Sequence, residues 1–186
     1  HSLAVIGRSL EPGGGGAIID IGGGTSRLAD SLLERGYGPL TVLDISPAAI
    51  EASRARLGPK AGCVTWIPAD ITRWRPEAQW AFWHDRAVFH FLTEGEDRAA
   101  YVAAMTMALR PGGHALIATF ADDGPETCSG LPVRRYSPKM LFAEIDARAP
   151  GAFDFVDGQH HVHKTPKGNR QNFQLSLLRR RGAVGK

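Results

Sequence analysis

Two cysteines among 186 residues, Cys63 and Cys128, are too few for a disulfide framework and point to a reducing, cytoplasmic setting. No apolar run approaches the roughly twenty residues of a membrane span, and the chain does not open on a leader-like segment. A membrane partner is therefore not expected. Clustered Lys and Arg interleaved with aromatics are missing too. The net charge is only +3, and much of the basic excess sits in the closing LLRRRGAVGK, so residues 180–186 read as a solvated tail rather than a nucleic-acid surface. Internal repeats and low-complexity stretches are absent as well. What remains is 43% hydrophobic and 22% charged, an ordinary globular balance with enough apolar residues for one core in a single domain over residues 1–186.

Short apolar runs alternate with helical patterns along most of the chain. AIID, LTVLD and CVTWIPAD each end in an acid, and WAFWHD and HALIATF complete five runs at regular intervals. That alternation predicts an α/β fold, a three-layer, doubly wound sheet of mostly parallel strands with helices on both faces. Two later runs, AFDFV and NFQLSLL, joined by a polar loop, predict an antiparallel hairpin at the sheet edge, for about seven strands in all. Helix signals fall between the runs. Thr25 or Ser26 can cap a helix that buries Leu28, Leu32 and Leu33 and closes at Gly36. Ser46-Pro47 opens the next, with Ile50 and Leu57 on one face. Thr93-Glu94-Gly95-Glu96 reads as a capping box before Tyr101, Val102, Met105 and Leu109, with Pro111-Gly112-Gly113 as the stop. Ser137-Pro138 opens a last helix carrying Leu141, Phe142 and Ile145, closed by Pro150-Gly151. The opening HSLAVIGRSL looks like the middle of a helix, which sets the expectation that an N-terminal piece is missing.

The stretch AIIDIGGGTSRLADSLL, residues 17–33, joins the first run to the first helix through Gly22-Gly23-Gly24. Glycines allow a tight turn and let a ligand approach the backbone without a Cβ in the way. A glycine run can also be a plain linker, as Gly13 to Gly16 read. Asp44, twenty residues beyond Gly24, weighs toward a ligand, because an acid there accepts hydrogen bonds from both ribose hydroxyls of an adenosine. Asp70, ending the third run, adds an acceptor for an adenine amino group. A dinucleotide would want G-x-G-x-x-G and free helix N–H groups for its pyrophosphate. Here Asp20 stands two residues before the first glycine, and position 27 is Arg27. An acid beside the loop repels a pyrophosphate and suits a cation. S-adenosylmethionine, with a sulfonium, an ammonium and no phosphate, therefore fits better than NAD.

IIDIGGGTSRLADSLL, TVLDISPAAI, PADITRW, WHDRAVFHFL and LRPGGHALIATF together resemble the ordered motifs of the class I S-adenosylmethionine-dependent methyltransferases, over about residues 17–120. Gly22 and Gly24 match the motif glycines, and Ser26 stands at the third. The resemblance implies a Rossmann-like fold and assigns roles by position. Asp20 and the backbone of Gly22, Gly23 and Gly24 would hold the methionine moiety. Asp44, with its neighbour Ile45, would hold the ribose, and Asp70 with the Ile71 backbone the adenine. His84 and Asp85 would line the floor near the sulfonium.

Methyl transfer is an in-line displacement at a cationic sulfur, so positioning and removal of water carry most of the catalysis. A base is needed only for an acceptor protonated at working pH. His84, Asp85 and Arg86, at the end of the fourth run, are the catalytic candidates, with Arg86 available to stabilise an anionic acceptor such as a thiolate. HDRAVFHFL resembles the thiopurine and thiol methyltransferases and small bacterial class I members, and DDGPETCSGLPVRRYSP resembles the segment that reaches over their acceptor pocket. Two departures stand out. Ala81 replaces an acid common near the start of the fourth strand, and the N-terminal segment that usually covers the cofactor is not present. The expectation is methyl transfer to a small-molecule soft nucleophile, with no metal. Protein lysine methyltransferases share GYGPLTVLDIS-like sequences, but Arg86, Arg134 and Arg135 would repel a lysine if they face the pocket. A cofactor-binding module without catalysis and an NAD-dependent dehydrogenase are the remaining readings. Elsewhere, His90 reads as a core histidine beside Phe89 and Phe91. His160, His161 and His163 read as a polar hairpin loop, since no Cys or acid stands at ligand spacing. Cys128 reads as a small buried thiol, and Trp66, Trp74, Trp80 and Trp83 as core and rim packing.

Overall fold

In chain order the elements are α1 (Ser2–Ser9), β1 (Ile18–Ile21), α2 (Leu28–Glu34), β2 (Leu40–Asp44), α3 (Pro47–Leu57), β3 (Val64–Pro68), β4 (Trp80–Arg86), α4 (Gly95–Ala108), β5 (Leu109–Phe120), β6 (Thr127–Cys128), β7 (Leu131–Pro132), α5 (Pro138–Asp146), β8 (Phe153–Lys164) and β9 (Arg170–Arg180). The computed structural model describes residues 2–164 and 170–182, apart from the side chains of His163 and Lys164. Strand β1, IIDI, is buried along its whole length, as a strand covered on both faces must be. It sits near the middle of a seven-stranded sheet ordered β3-β2-β1-β4-β5-β9-β8. The first five strands in that order run parallel. Strand β9 is antiparallel to β5 and to β8, so the predicted hairpin forms the sheet edge. The strand order reverses between β1 and β4, which opens a crevice beyond their carboxyl ends where ligands of such sheets bind.

Two apolar layers cover the sheet. Tyr101, Val102 and Met105 of α4 and Leu141 and Ile145 of α5 pack on one face with Ile19, Ile21 and Trp83. On the other, Val5 and Ile6 of α1, Leu28 and Leu32 of α2 and Leu57 of α3 pack with Ile18, Val42 and Phe82. Successive strand residues alternate between these layers, as the pleat requires. The tryptophans follow expectation: Trp80 and Trp83 are buried, with Trp66 and Trp74 at the rim.

Local signals mostly hold. Ser46 Oγ accepts the Ala49 N–H at 3.2 Å and opens α3, and Ser137 Oγ does the same for Met140 at 3.3 Å in α5. Gly36 turns left-handed at φ 76° just past α2. Ser26 Oγ accepts the Leu28 N–H at 3.1 Å, one residue ahead of the cap position, which Arg27 occupies. The capping box at Thr93 does not form: Glu94 takes the cap position without a side-chain bond. Arg98 reaches back instead, donating to the carbonyls of Leu92 at 2.8 Å and Thr93 at 2.7 Å while pairing with Glu144 on α5. Leu109 already belongs to β5, so Pro111-Gly112-Gly113 lies inside that strand rather than ahead of it. Gly113 is needed there, because a Cβ would stand 3.0 Å from the carbonyl of Ala81.

The hairpin corrects two further expectations. His160 and His161 belong to strand β8, not to a loop, and His160 Nε2 pairs with Asp123 at 3.1 Å. The polar loop itself, 165–169, lies outside the described residues. Nor is the basic end merely solvated: Arg181 and Arg179 both pair with Asp154, at 2.7 and 3.3 Å, and Arg180 donates to the Ala152 carbonyl at 2.9 Å. Among the described residues no helix is long and apolar enough to cross a membrane.

Because Ser46 caps α3 and its own N–H donates to Asp44 Oδ1 at 2.8 Å, Ser46→Ala should cost about 1 kcal/mol. Urea unfolding measures this, and an unchanged midpoint would show that the cap contributes nothing.

Candidate active site

The three glycines after β1 each occupy space that a side chain could not. Gly22 has φ 67°, and a Cβ on it would overlap Val88. A Cβ on Gly23 would overlap the Asp20 carboxylate, and one on Gly24 would stand 2.5 Å from Asp44 Oδ2 and 2.7 Å from the Ala49 methyl. The loop is thus pressed between two acids and the turn after β4. Its far side is held by α3. Ser53 Oγ bonds the Gly24 carbonyl, and Arg56 donates to the carbonyls of Thr25 at 3.3 Å and Ser26 at 2.6 Å. The same guanidinium pairs with Asp30 at 2.9 Å, and that bond holds the Asp30 carboxyl below its ordinary value. Sequence reading passed over Ser53 and Arg56. The available signal was a small polar residue between Ile50 and Leu57 on the buried face of α3.

Beyond the carboxyl ends of β1, β2, β3 and β4 lies a cavity of about 590 Å³, within the usual span for small-molecule sites. One end is walled by Asp44, Ile45, Asp70 and Ile71, and the other by Val88, Phe91, Leu92, Leu131 and Pro132, with Gly22 and Ala87 between. Asp44 accepts the Gly24 N–H at 2.9 Å through one oxygen and the Ser46 N–H through the other, which aims the carboxylate and leaves each oxygen a lone pair. The Thr72 N–H and hydroxyl, at 2.9 and 2.8 Å, hold the Asp70 carboxyl below its ordinary value. Ile45 is 72% exposed, an apolar surface at the cavity's rim. Among the described residues, no Lys or Arg lines this space.

The pleat separates the remaining candidates. Asp20 and His84 are register partners on adjacent strands, and His84 Nδ1 bonds Asp20 Oδ1 at 2.6 Å while its Nε2 bonds the Ser2 hydroxyl at 2.9 Å. The second oxygen of Asp20 is buried beside Gly23, with no protein partner among the described residues. Asp85 points to the opposite face. Its carboxylate is fully buried and accepts from Val88 N–H at 2.8 Å, Phe89 N–H at 3.0 Å and Tyr101 O–H at 2.6 Å. Asp20, Gly23, Gly24, His84 and Asp85 therefore stand behind the cavity wall, while Gly22, Asp44, Ile45, Asp70 and Ile71 form it.

Residues 18–113 match a sequence family described as a methyltransferase domain. The chain belongs to that family. A SAM-dependent methyltransferase from Methanosarcina mazei superposes with a TM-score of 0.75 at 15% identity, over 95% of this chain and 97% of its own. The Burkholderia thailandensis 1,6-didemethyltoxoflavin-N1-methyltransferase, with its namesake compound and S-adenosylhomocysteine bound, superposes at 0.71 and 22% identity, over 90% and 72%. A structure concerned with the conversion of a disulfide bond into a thioacetal group during echinomycin biosynthesis superposes at 0.74 and 22% identity, over 97% and 81%. No curated protein matches the sequence.

In this methyltransferase domain the arginines read as acceptor contacts are engaged elsewhere. Arg86 is exposed, its guanidinium 5.8 Å from the centre of the Phe173 ring on the face opposite Asp85. Arg134 bonds the Tyr136 hydroxyl at 3.1 Å, and Arg135 bonds the Gly124 carbonyl at 3.0 Å and Glu126 at 3.1 Å. None of the three lines the cavity. His90 is fully buried, accepts the Phe120 N–H through Nδ1 at 3.2 Å and, with burial pulling it down to about 4, stays neutral. Cys128 is half-buried and unpaired. The apolar wall from Leu131 and Pro132 went unpredicted residue by residue, although the segment that carries them was expected over the acceptor.

Burial pushes the Asp85 carboxyl up to about 6 against the lowering pull of Tyr101, Val88 and Phe89. A raised acid stabilises the fold fully below its unfolded value of about 3.9, and this contribution is lost as pH rises through the folded value. From about pH 4 to about pH 7.5 the loss is roughly 2–3 kcal/mol. Urea unfolding of wild type and Asp85→Asn should show the wild type losing ground against the variant as pH rises; a gap independent of pH would contradict the shift.

Proposed function

We propose that the chain transfers a methyl group from S-adenosylmethionine to a small, largely apolar acceptor that presents a soft nucleophile such as a thiol. The observation that carries this reading is the cavity itself, where two strand-end carboxylates and a glycine backbone meet an apolar wall and no cationic side chain. Such a lining suits a cationic adenosine ligand and disfavours a pyrophosphate. In this reading Asp44 accepts from the ribose hydroxyls, Asp70 and the Ile71 backbone meet the adenine, and Ile45 covers it; their presence in the cavity lining supports it. Asp20, held by His84 behind the wall, adds negative charge beneath the glycine loop that suits the cationic methionine moiety. When bound, S-adenosylmethionine supplies an electrophilic methyl on its sulfonium.

The acceptor half rests on Val88, Phe91, Leu92, Leu131 and Pro132, which exclude water and favour an uncharged molecule. Arg86 takes no part in stabilising an anion in this reading, because its guanidinium lies over Phe173. The structural relative concerned with thioacetal formation lends support to a sulfur acceptor. The one crystallised with 1,6-didemethyltoxoflavin lends support to a small flat molecule. A single domain over residues 1–186 and a cytoplasmic setting, suggested by the two unpaired cysteines, complete the proposal.

Calorimetric titration should detect S-adenosylhomocysteine binding and none of NAD; the reverse pattern would overturn the proposal. Asp44→Ala should weaken S-adenosylhomocysteine by about 2 kcal/mol, roughly thirtyfold, and unchanged affinity would remove Asp44 from the ribose site. Release of S-adenosylhomocysteine across thiols, amines and lysine peptides then tests the acceptor. Turnover of a lysine-bearing protein alone would refute the small-molecule reading.

A further inference from the structure

Asp85 stands two residues before Ala87 of the cavity wall yet does not reach the cavity itself. Both of its oxygens are engaged, the residue is fully buried, and its partners come from two directions. The N–H groups of Val88 and Phe89 belong to the turn that follows β4, and the hydroxyl of Tyr101 belongs to α4. Tyr101 is itself fixed, because it accepts the Trp83 indole N–H at 2.8 Å and its ring meets that of Phe89 edge-on at 4.9 Å. A carboxylate so enclosed, fully buried and outside the cavity lining, presents no oxygen to an acceptor in the cavity.

What this bonding holds is an unusual bend. Ala87 has φ 69°, a left-handed conformation that an L side chain disfavours and glycine does not. The bend sends Val88 back over the glycine loop, into the space that a Cβ on Gly22 would need. Ala87 and Val88 thereby become part of the wall that also contains Gly22. The Ala87 N–H donates to the Ala118 carbonyl at 2.9 Å and fixes the entry to the bend. The donors gathered on the Asp85 carboxylate fix its exit, and without them the alanine is freer to relax to a right-handed conformation and carry Val88 away.

We infer that Asp85 is a positioning residue, whose carboxylate locks the left-handed Ala87 turn and so places Val88 against Gly22 as the wall of the cofactor cavity. The inference rests on reading that cavity as the site of S-adenosylmethionine. A catalytic residue would touch the reacting atoms; Asp85 acts through backbone N–H groups one turn away. His84, its chain neighbour, serves the other face through Asp20, so one of the two adjacent side chains braces the acid beside the glycine loop and the other the turn that packs on that loop.

The test is calorimetric titration with S-adenosylhomocysteine, run beside thermal unfolding. Asn keeps the size of Asp but offers one acceptor oxygen instead of two. Asp85→Asn should bind about tenfold more weakly while remaining folded. Adding Ala87→Gly should recover most of that affinity, since glycine adopts the bend without the carboxylate. Tyr101→Phe removes one of the three donors and should show a smaller loss, again recovered by Ala87→Gly, and this pair carries the test if Asp85→Asn does not fold. Wild-type affinity in Asp85→Asn with collapsed turnover would overturn the inference in favour of a role at the reacting atoms. A double variant no tighter than the single one would overturn it as well. Failure of the wild type to bind S-adenosylhomocysteine is a separate result, which refutes the reading of the cavity.

Discussion

Adjacent parallel strands place Asp20 beside His84 and Ile21 beside Asp85, and the pleat sends these pairs to opposite faces of the sheet. Everything at the carboxyl edge depends on this alternation. On one face the Asp20–His84 pair reaches from the glycine loop to Ser2 of α1. On the other, Asp85 ties the turn after β4 to Tyr101 of α4. The loop and the turn meet at Gly22 and Val88, so neither can shift without the other. The cavity is consequently bordered by two segments that are anchored on opposite faces of the sheet and meet at this contact.

The electrostatics follow from the same edge. Strands β1, β2 and β4 each deliver a carboxylate near their ends, with Asp70 just past β3, while the nearby guanidinium groups are drawn off by partners outside the cavity. Arg86 finds the Phe173 ring, Arg134 the Tyr136 hydroxyl, and Arg56 the acid and carbonyls behind the loop. Long side chains with several donors are readily redirected in this way, because a guanidinium keeps its charge solvated while its stem covers apolar surface. Among the described residues, Asp44 and Asp70 meet no Lys or Arg in the cavity lining, although the exposed Arg73 approaches Asp70 from outside at 4.0 Å.

This division also explains how far the sequence could be read. That Gly22, Asp44 and Asp70 would meet at one cavity was legible because the signals are local: a missing Cβ and an acid at a strand end mean much the same in any neighbourhood. The edge hairpin was legible from two apolar runs a short link apart. The face taken by each side chain of HDR was not, since it depends on the phase of β4 and on the register shift between Trp80 and Phe82. Long-range partners were equally hidden. The capping box expected at Thr93 gives way to Arg98, which bonds the carbonyls of Leu92 and Thr93 and pairs with Glu144, 46 residues away. The wall from Leu131 and Pro132 depends on a two-stranded hairpin turned by Ser129 and Gly130, both at positive φ, which Ser-Gly alone only hints at.

The apolar wall has a consequence for the kind of nucleophile that fits. A charged acceptor entering a space lined by Val88, Phe91, Leu92, Leu131 and Pro132 would lose its hydration without gaining a partner. A neutral sulfur or nitrogen loses little. In the proposed transfer, bound S-adenosylmethionine would supply a methyl on a cationic sulfur, and a low-polarity surround resists charge creation far more than charge displacement. An anionic thiolate would gain from the same surround by cancelling the cation, but only after its own desolvation, and no guanidinium stands ready to offset that cost. For the proposed methyl transfer, such a lining therefore asks least of an acceptor that arrives neutral and sheds its proton, if it has one, after the methyl has moved.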